Sequence, residues 1–408
     1  MRFIYLVILF LSITLKAQIT GCTDPLATNY NFTASQNDGS CVYNSSTISP
    51  VVSHTINSIL NETSGLIKFG NSLYTQNDDT DKNIYALDTL NGSIINTYSL
   101  SNLINIDWEE ISQDNNYVYI GDFGNNANGN RTNLRIYKIS KTSLLANAPI
   151  IDTIKFSYSN QTNYTATGNN NTNFDCEAFI VKNDSIFLFT KQWVNNATSI
   201  YSLPKTAGTY TAQLKTTINV QGLITGATLL ETKNLIVLCG YSNLLQPFFY
   251  LIYDYLGNDF TNCNKRKIDI QLPFHQIESI ATTNGIKYFL TNEYFSNLPW
   301  ANTAQQLHIF NLSTFLNPYL NPTPNFIHET NSNSNLIKIY PNPNYGELTI
   351  NVAHNLIGED FKIYNILGET LQSEKITNTT QFVNIYTLPK GIYFFKIKNG
   401  EIKKLIKE

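Results

Sequence analysis

Short runs of alternating apolar and polar residues, separated by polar turns, fill most of the chain. The clearest is Asp107-Trp108-Glu109-Glu110-Ile111-Ser112, then a turn Gln113-Asp114-Asn115-Asn116, then Tyr117-Val118-Tyr119-Ile120-Gly121-Asp122. Period-two alternation over so few residues predicts two strands joined by a tight turn. The shape recurs at Ser64–Phe69 with Ser72–Thr75, at Cys176–Phe179 with Ile186–Phe189, at Thr225–Thr228 with Leu235–Leu238, and at Ile277–Ile280 with Tyr288–Thr291. A third strand of common look follows each pair: Asn83–Leu87, Arg135–Ile139, Ser199–Leu203, Phe249–Tyr253 and Leu307–Phe310.

Four repeats carry a fourth strand, near 93–100, 150–158, 212–220 and 267–272. The fifth lacks one, but a lone strand near 50–59 precedes the first repeat. Four-stranded repeats of about fifty residues are those of a β-propeller, and a spare N-terminal strand completing the last blade would close the ring. The expectation is an all-β protein with a five-bladed β-propeller over 46–315. Six blades is the alternative, since the second repeat is long enough to hide a degenerate one.

Composition agrees. The chain has 25 Tyr and 23 Phe, and Asn, Thr, Ser and Ile abound, which favours strands and turns over helices. A net charge of −3 gives no nucleic-acid footprint. Residues 1–17, with Arg2 before the apolar run Phe3–Leu15, read as a signal peptide, too short for a membrane span. No other stretch is long enough for a transmembrane span. In an exported chain, Cys22 and Cys41 bracket a short polar loop and should be bridged, giving a small disulfide module over 18–45. The alternative for Cys22 is acylation, from the lipoprotein-box pattern Ile19-Thr20-Gly21-Cys22. Cys176, Cys239 and Cys263 have no deducible pairing.

First strands of propeller blades line the central channel, so equivalent positions converge. Aligning the repeats places Gly65, Glu110, Glu177, Gly226 and Glu278 at one level, with Ser64 beside them and neither arginine nor lysine among them. Carboxylates in a narrow channel repel unless protonated, paired or bound to a cation. Calcium, held by Ser64, Glu110, Glu177, Glu278 and backbone carbonyls, is the expected answer; a hydrated channel is the alternative. Asp78, Asp122, Lys191 and Glu293 end the second strands and are candidate ligand-binding residues at the mouth. Trp193, Trp300 and Phe123-Gly124-Asn125-Asn126 are candidates for its rim.

Three resemblances attach to these motifs. The order Ser-Gly-Leu, Trp-Glu-Glu-Ile, Cys-Glu-Ala, Thr-Gly-Ala and Ile-Glu-Ser is similar to the calcium-dependent apyrases, five-bladed nucleotidases with calcium on the axis. That implies the ion, and a calcium-dependent phosphohydrolase as one function. The Asp-Trp-Glu-Glu and Gly-Asp-Phe-Gly-Asn-Asn motifs also resemble uncharacterised secreted bacterial propellers, which suits a surface protein binding a glycan, protein or small ligand. The module from Gly21 to Cys41 resembles a cysteine-bracketed repeat of secreted surface proteins, with Asp24 and Asp38 as potential calcium ligands.

After a linker over 316–335, the motifs Ile337–Pro343, Glu347–Ile350, Ile363–Glu369 and Leu388–Phe394 resemble the type IX secretion sorting domain over 336–408. The short alternating strands suit an immunoglobulin-like β-sandwich, and the resemblance implies the type IX secretion machinery as partner and a secreted or outer-membrane-surface location.

Overall fold

The computed structural model describes residues 18–321, 337–397 and 402–408, so the expected signal peptide and most of the expected linker lie outside the described residues. The chain divides into two compact units, Met1–Asn321 and Pro322–Glu408.

In the first unit, five antiparallel four-stranded blades begin at Thr63–Phe69, Trp108–Gln113, Asp175–Lys182, Leu223–Leu230 and Ile277–Thr282. These first strands neighbour one another in a closed cycle, the geometry of a β-propeller. Five apolar cores fill the spaces between successive blades. One joins the fifth blade to the first through Leu66, Leu73, Phe289 and Ile309. Sheets covered on both faces explain the unbroken apolar runs: every residue of Leu235–Tyr241 and of Pro247–Tyr253 is buried.

The spare N-terminal strand acts as expected. Val52–Thr55 pairs antiparallel with Gln306–Asn311 and completes the fifth blade. His308 pins this closure. Its Nδ1 lies 2.7 Å from Ser53 Oγ and its Nε2 2.8 Å from Asn292 Oδ1. The Asn292 amide nitrogen already donates to Glu293 O and Ala304 O, so Oδ1 must accept and Nε2 carries the proton.

The extra length of the second repeat goes into loops at 123–134 and 159–174 and a helix, Lys141–Leu145, rather than a sixth blade among the described residues. The helix Ser313–Leu320 occupies the start of the stretch expected as linker. Burial of Phe315, Leu316 and Leu320 holds it despite Pro318 within it.

Cys22 and Cys41 are disulfide-bonded. Their module is docked on the fourth blade. Asp24 accepts hydrogen bonds from the hydroxyls of Tyr43 and Tyr253, and Asn37 donates to Asn264 Oδ1 at 2.7 Å. Asp24 is thus committed to docking, and Asp38 accepts from Ser40 N. Cys176, Cys239 and Cys263 are free and buried.

The second unit is a two-sheet β-sandwich. Ile337–Tyr340, Glu347–Val352 and Thr380–Asn384 form one sheet. Thr370–Lys375, Asp360–Tyr364, Gly391–Ile397 and Ile402–Lys407 form the other, over a core that includes Ile350, Phe361, Ile363 and Phe395.

Candidate cation-binding channel mouth

Every inner strand slips register at the same place. Two residues of the first strand face one of the second at Gly65-Leu66, at Glu109-Glu110, and at Glu177, Thr225 and Glu278. Such β-bulges break the strict alternation of side chains and re-aim the extra residue. Here they turn the carboxylates toward the axis.

The bulges also correct the expected metal set. Glu110 does not join the other glutamates. Its carboxylate crosses the channel, accepting from Ile111 N at 3.0 Å and Ala227 N at 2.8 Å. The glycine in the first blade makes this possible. A Cβ on Gly65, whose φ is +69°, would fall 2.8 Å from Glu110 Oε1 and 2.4 Å from Ile111 N. The Ser64 hydroxyl is spent on the backbone carbonyl of Glu109, as Thr225 is on that of Ile277. Ser64 and Glu110 thus have backbone partners within the channel, and Glu110 is not among the carboxylates gathered with Glu177.

What is gathered is Glu109, Asp175 and Glu177. One oxygen from each lies within 4.8 Å of the others, and all three side chains are buried. Glu62, Asp78 and Glu293 form a second close group, of which only Glu293 is buried. Glu109 was visible as a neighbour of the expected level, but Asp175 and Glu62 carried no repeat signal. Asp175 is fixed by Asn125 N at 2.6 Å and Trp193 Nε1 at 2.7 Å, so Trp193 anchors the site rather than offering a face to ligand. Gly124 is required for close approach: a Cβ there would lie 2.0 Å from Glu109 Oε1 and 2.4 Å from Asp107 Oδ2. Trp300 is exposed, beside the hairpin Phe295–Asn297 and Ala301–Thr303.

A lysine does reach the carboxylates. Lys191, 4% exposed, places Nζ 3.3 Å from Glu177 Oε1 and lies over the rings of Trp193 and Tyr241. The expectation of a level free of basic residues fails because Lys191 enters from the second strand. Burial pulls its pKa down, but Glu177 and Glu278 outweigh it and hold the ammonium charged. Asp122 is structural instead: Arg131 at 2.8 Å and Arg135 at 3.4 Å neutralise it.

The remaining carboxyls act on one another. Burial, then Glu177 and Asp107, pushes Glu109 well above the ordinary carboxylate range. Burial and Glu177 do the same to Asp175, and burial with Glu278 and Asp78 to Glu293. Asp78 is pushed up to about 8 by burial, Glu62 and Glu278; Asp107 to about 6 by burial and Asp175. Glu278 is raised by burial, and its Oε2 has no hydrogen-bond partner. Eight carboxyls (Glu62, Asp78, Asp107, Glu109, Asp175, Glu177, Glu278 and Glu293) thus share the mouth with Lys191 and Arg131.

With the architecture in hand, the class is an all-β, propeller-bearing protein with a sorting tail. Residues 338–408 match the secretion system C-terminal sorting domain. This tail marks cargo of the type IX secretion machinery, delivered outside the cell or to the outer-membrane surface. No helix among the described residues is long and apolar enough to cross a membrane.

No curated protein matches the chain. Among solved structures, the chain is similar to PorZ, a surface component of the type-IX secretion system of Porphyromonas gingivalis. The identity is 14% and the TM-score 0.29, over 85% of this chain and 45% of that one. The chain therefore spans about half the length of PorZ. It is also similar to Myxococcus xanthus glutaminyl cyclase at 11% identity and a TM-score of 0.39, over 65% of this chain and 100% of that one. At this identity and overlap neither protein's activity carries over.

Proposed function

We propose that this exported protein holds calcium at the acidic mouth of its channel and there binds an extracellular glycan, protein or small ligand. The observation that carries the reading is the excess of buried carboxyls over cations. Carboxylates desolvated beside one another stay protonated or take a cation, and a divalent ion reverses the sign of their repulsion. Glu109, Asp175 and Glu177 offer three oxygens close enough for one ion, and Glu278 Oε2 lacks a partner. Calcium takes six to eight oxygen ligands in flexible geometry, so water or the ligand's own oxygens complete the shell.

One observation favours a calcium-dependent phosphohydrolase as a second reading. Asp107, with its pKa near 6, is suited to move a proton at neutral pH. Among the described residues the cations near the mouth are few, and Lys191, Arg131 and Arg135 are already paired with carboxylates, which favours binding over nucleotide hydrolysis.

Panels of glycans and nucleotides, presented to the purified chain with calcium and with chelator, separate the two. Calcium-dependent retention without turnover supports the binding protein, and calcium-dependent phosphate release supports the hydrolase. Identical behaviour in calcium and chelator contradicts both.

A further inference from the structure

The channel has a second end. Inner strands run from the acidic mouth to the turns joining first and second strands. Glu177 to Lys182 alone spans roughly 15 Å at the rise of an extended chain. At that far end the five blades enclose a cavity of about 520 Å³, within the ~300–1,000 Å³ usual for small-ligand sites.

Unlike the acidic mouth it carries more cations than acids: Lys68, Lys141 and Lys205 line it with Asp114 and Glu231. Leu66, Ala227, Leu229 and Ala281 supply an apolar floor. Lys141 stands on the wall with Nζ 4.6 Å from the centre of the Phe69 ring, which is itself stacked on Tyr74. Its ammonium donates to Gln113 Oε1 and to Asp114 O, both at 2.7 Å. An ammonium has three N–H groups, so one is uncommitted.

Lys68 donates only to Gly70 O, at 3.0 Å. Among the described residues neither Lys141 nor Lys68 has a carboxylate within salt-bridge distance. Two acids, Asp114 and Glu231, line the same cavity. Asp114 is paired with Lys205 at 3.2 Å and accepts from the Tyr119 hydroxyl, and Glu231 Oε1 accepts from Asn183 N. Burial holds the Lys141 pKa below its usual value, so a counter-ion there would meet a partly desolvated charge.

Two lysines without a carboxylate partner, apolar side chains and rim amides lining one cavity fit one ligand chemistry. We propose that this cavity binds a sugar acid, its carboxylate on Lys141 and Lys68, its C–H face on the apolar floor, and its hydroxyls toward the rim asparagines Asn115 and Asn183. A neutral sugar would leave the ammonium groups unpaired; a bare inorganic anion would leave the floor uncovered. The site is independent of calcium, being at the other end of the channel.

Titration calorimetry on the full secreted chain tests this with three probes: digalacturonate, its neutral counterpart digalactose, and sodium sulfate. Digalacturonate should bind, at least tenfold tighter than either of the others, and chelator should not change its affinity. Lys141→Gln and Lys68→Glu should each weaken it tenfold or more, whereas Lys155→Gln, exposed on an outer strand, should not. Lys68 touches only one backbone carbonyl, so Lys68→Glu remains decisive if Lys141→Gln fails to fold. Absent binding, equal binding of digalactose or sulfate, or indifference to both lysine variants would overturn the proposal.

Discussion

Lys191 Nζ lies 3.3 Å from Glu177 Oε1, both side chains almost wholly buried, at the point where the third blade meets the channel axis. One cation therefore offsets part of a cluster that otherwise repels itself. Removing one partner of a buried pair costs roughly 3–5 kcal/mol because the other charge is left uncompensated.

Lys191→Met should accordingly destabilise the metal-free protein by about that much. Calcium should recover more of the loss than it adds to the wild type, because the vacated charge leaves Glu177 to the ion. Urea unfolding in chelator and in calcium measures both. Equal calcium responses in the two proteins would show that Lys191 and the ion do not compete.

Protonation gives a second handle, with a definite sign. Asp78, Asp107, Glu109, Asp175 and Glu293 have folded-state pKa values above their unfolded ones. The folded protein thus binds more protons than the unfolded one. Their contribution to stability is complete below the unfolded carboxylate range and is lost as pH rises through the folded values, about 6 for Asp107 and about 8 for Asp78. In chelator, the melting temperature should fall between pH 5 and pH 8.5. Calcium should flatten that slope, and its binding should release protons, read by calorimetry in buffers of differing ionisation enthalpy.

Gly124 separates site geometry from fold. Its absent Cβ leaves room for Glu109 Oε1 and Asp107 Oδ2. Gly124→Ala should push those carboxylates aside and weaken calcium binding tenfold or more. The blades should keep their far-UV dichroism.

Much of this was legible in the chain. Alternation at Tyr117–Asp122 and its four copies placed the blades, and the lone strand near 50–59 announced the closure, because a missing fourth strand and a spare one balance. The site was legible only in part. Alignment predicts a ring at one level, but at a bulge adjacent residues no longer alternate, so Glu109 rather than Glu110 meets Glu177. Lys191 was recognisable as a strand end, yet its reach to Glu177 depends on side-chain length and on the Trp193 and Tyr241 rings beneath it. Asp175 had no counterpart in the other repeats, so no pattern marked it.

Ring closure carries its own pH signature. Burial depresses the His308 pKa to about 3, well below the unfolded value. Its contribution to stability is intact above the unfolded pKa near 6.5. It is lost as pH falls toward 3, at up to about 1.4 kcal/mol per pH unit. His308→Gln keeps a donor and an acceptor but does not titrate. The stability of wild type relative to this variant should therefore decline steadily from pH 6.5 to pH 4. A constant difference would place His308 outside the closure.

The central claim is the ion at the acidic mouth, and thermal melts in chelator against millimolar calcium test it most directly. A ligand that binds only the closed ring stabilises it by mass action, about 2.7 kcal/mol at a hundredfold excess over Kd. Calcium should therefore raise the melting temperature of the wild type by several degrees. Glu109→Gln or Glu177→Gln should diminish that rise, and Glu231→Gln, on the far face, should leave it intact. Superimposable melts of the wild type in chelator and calcium would contradict the account.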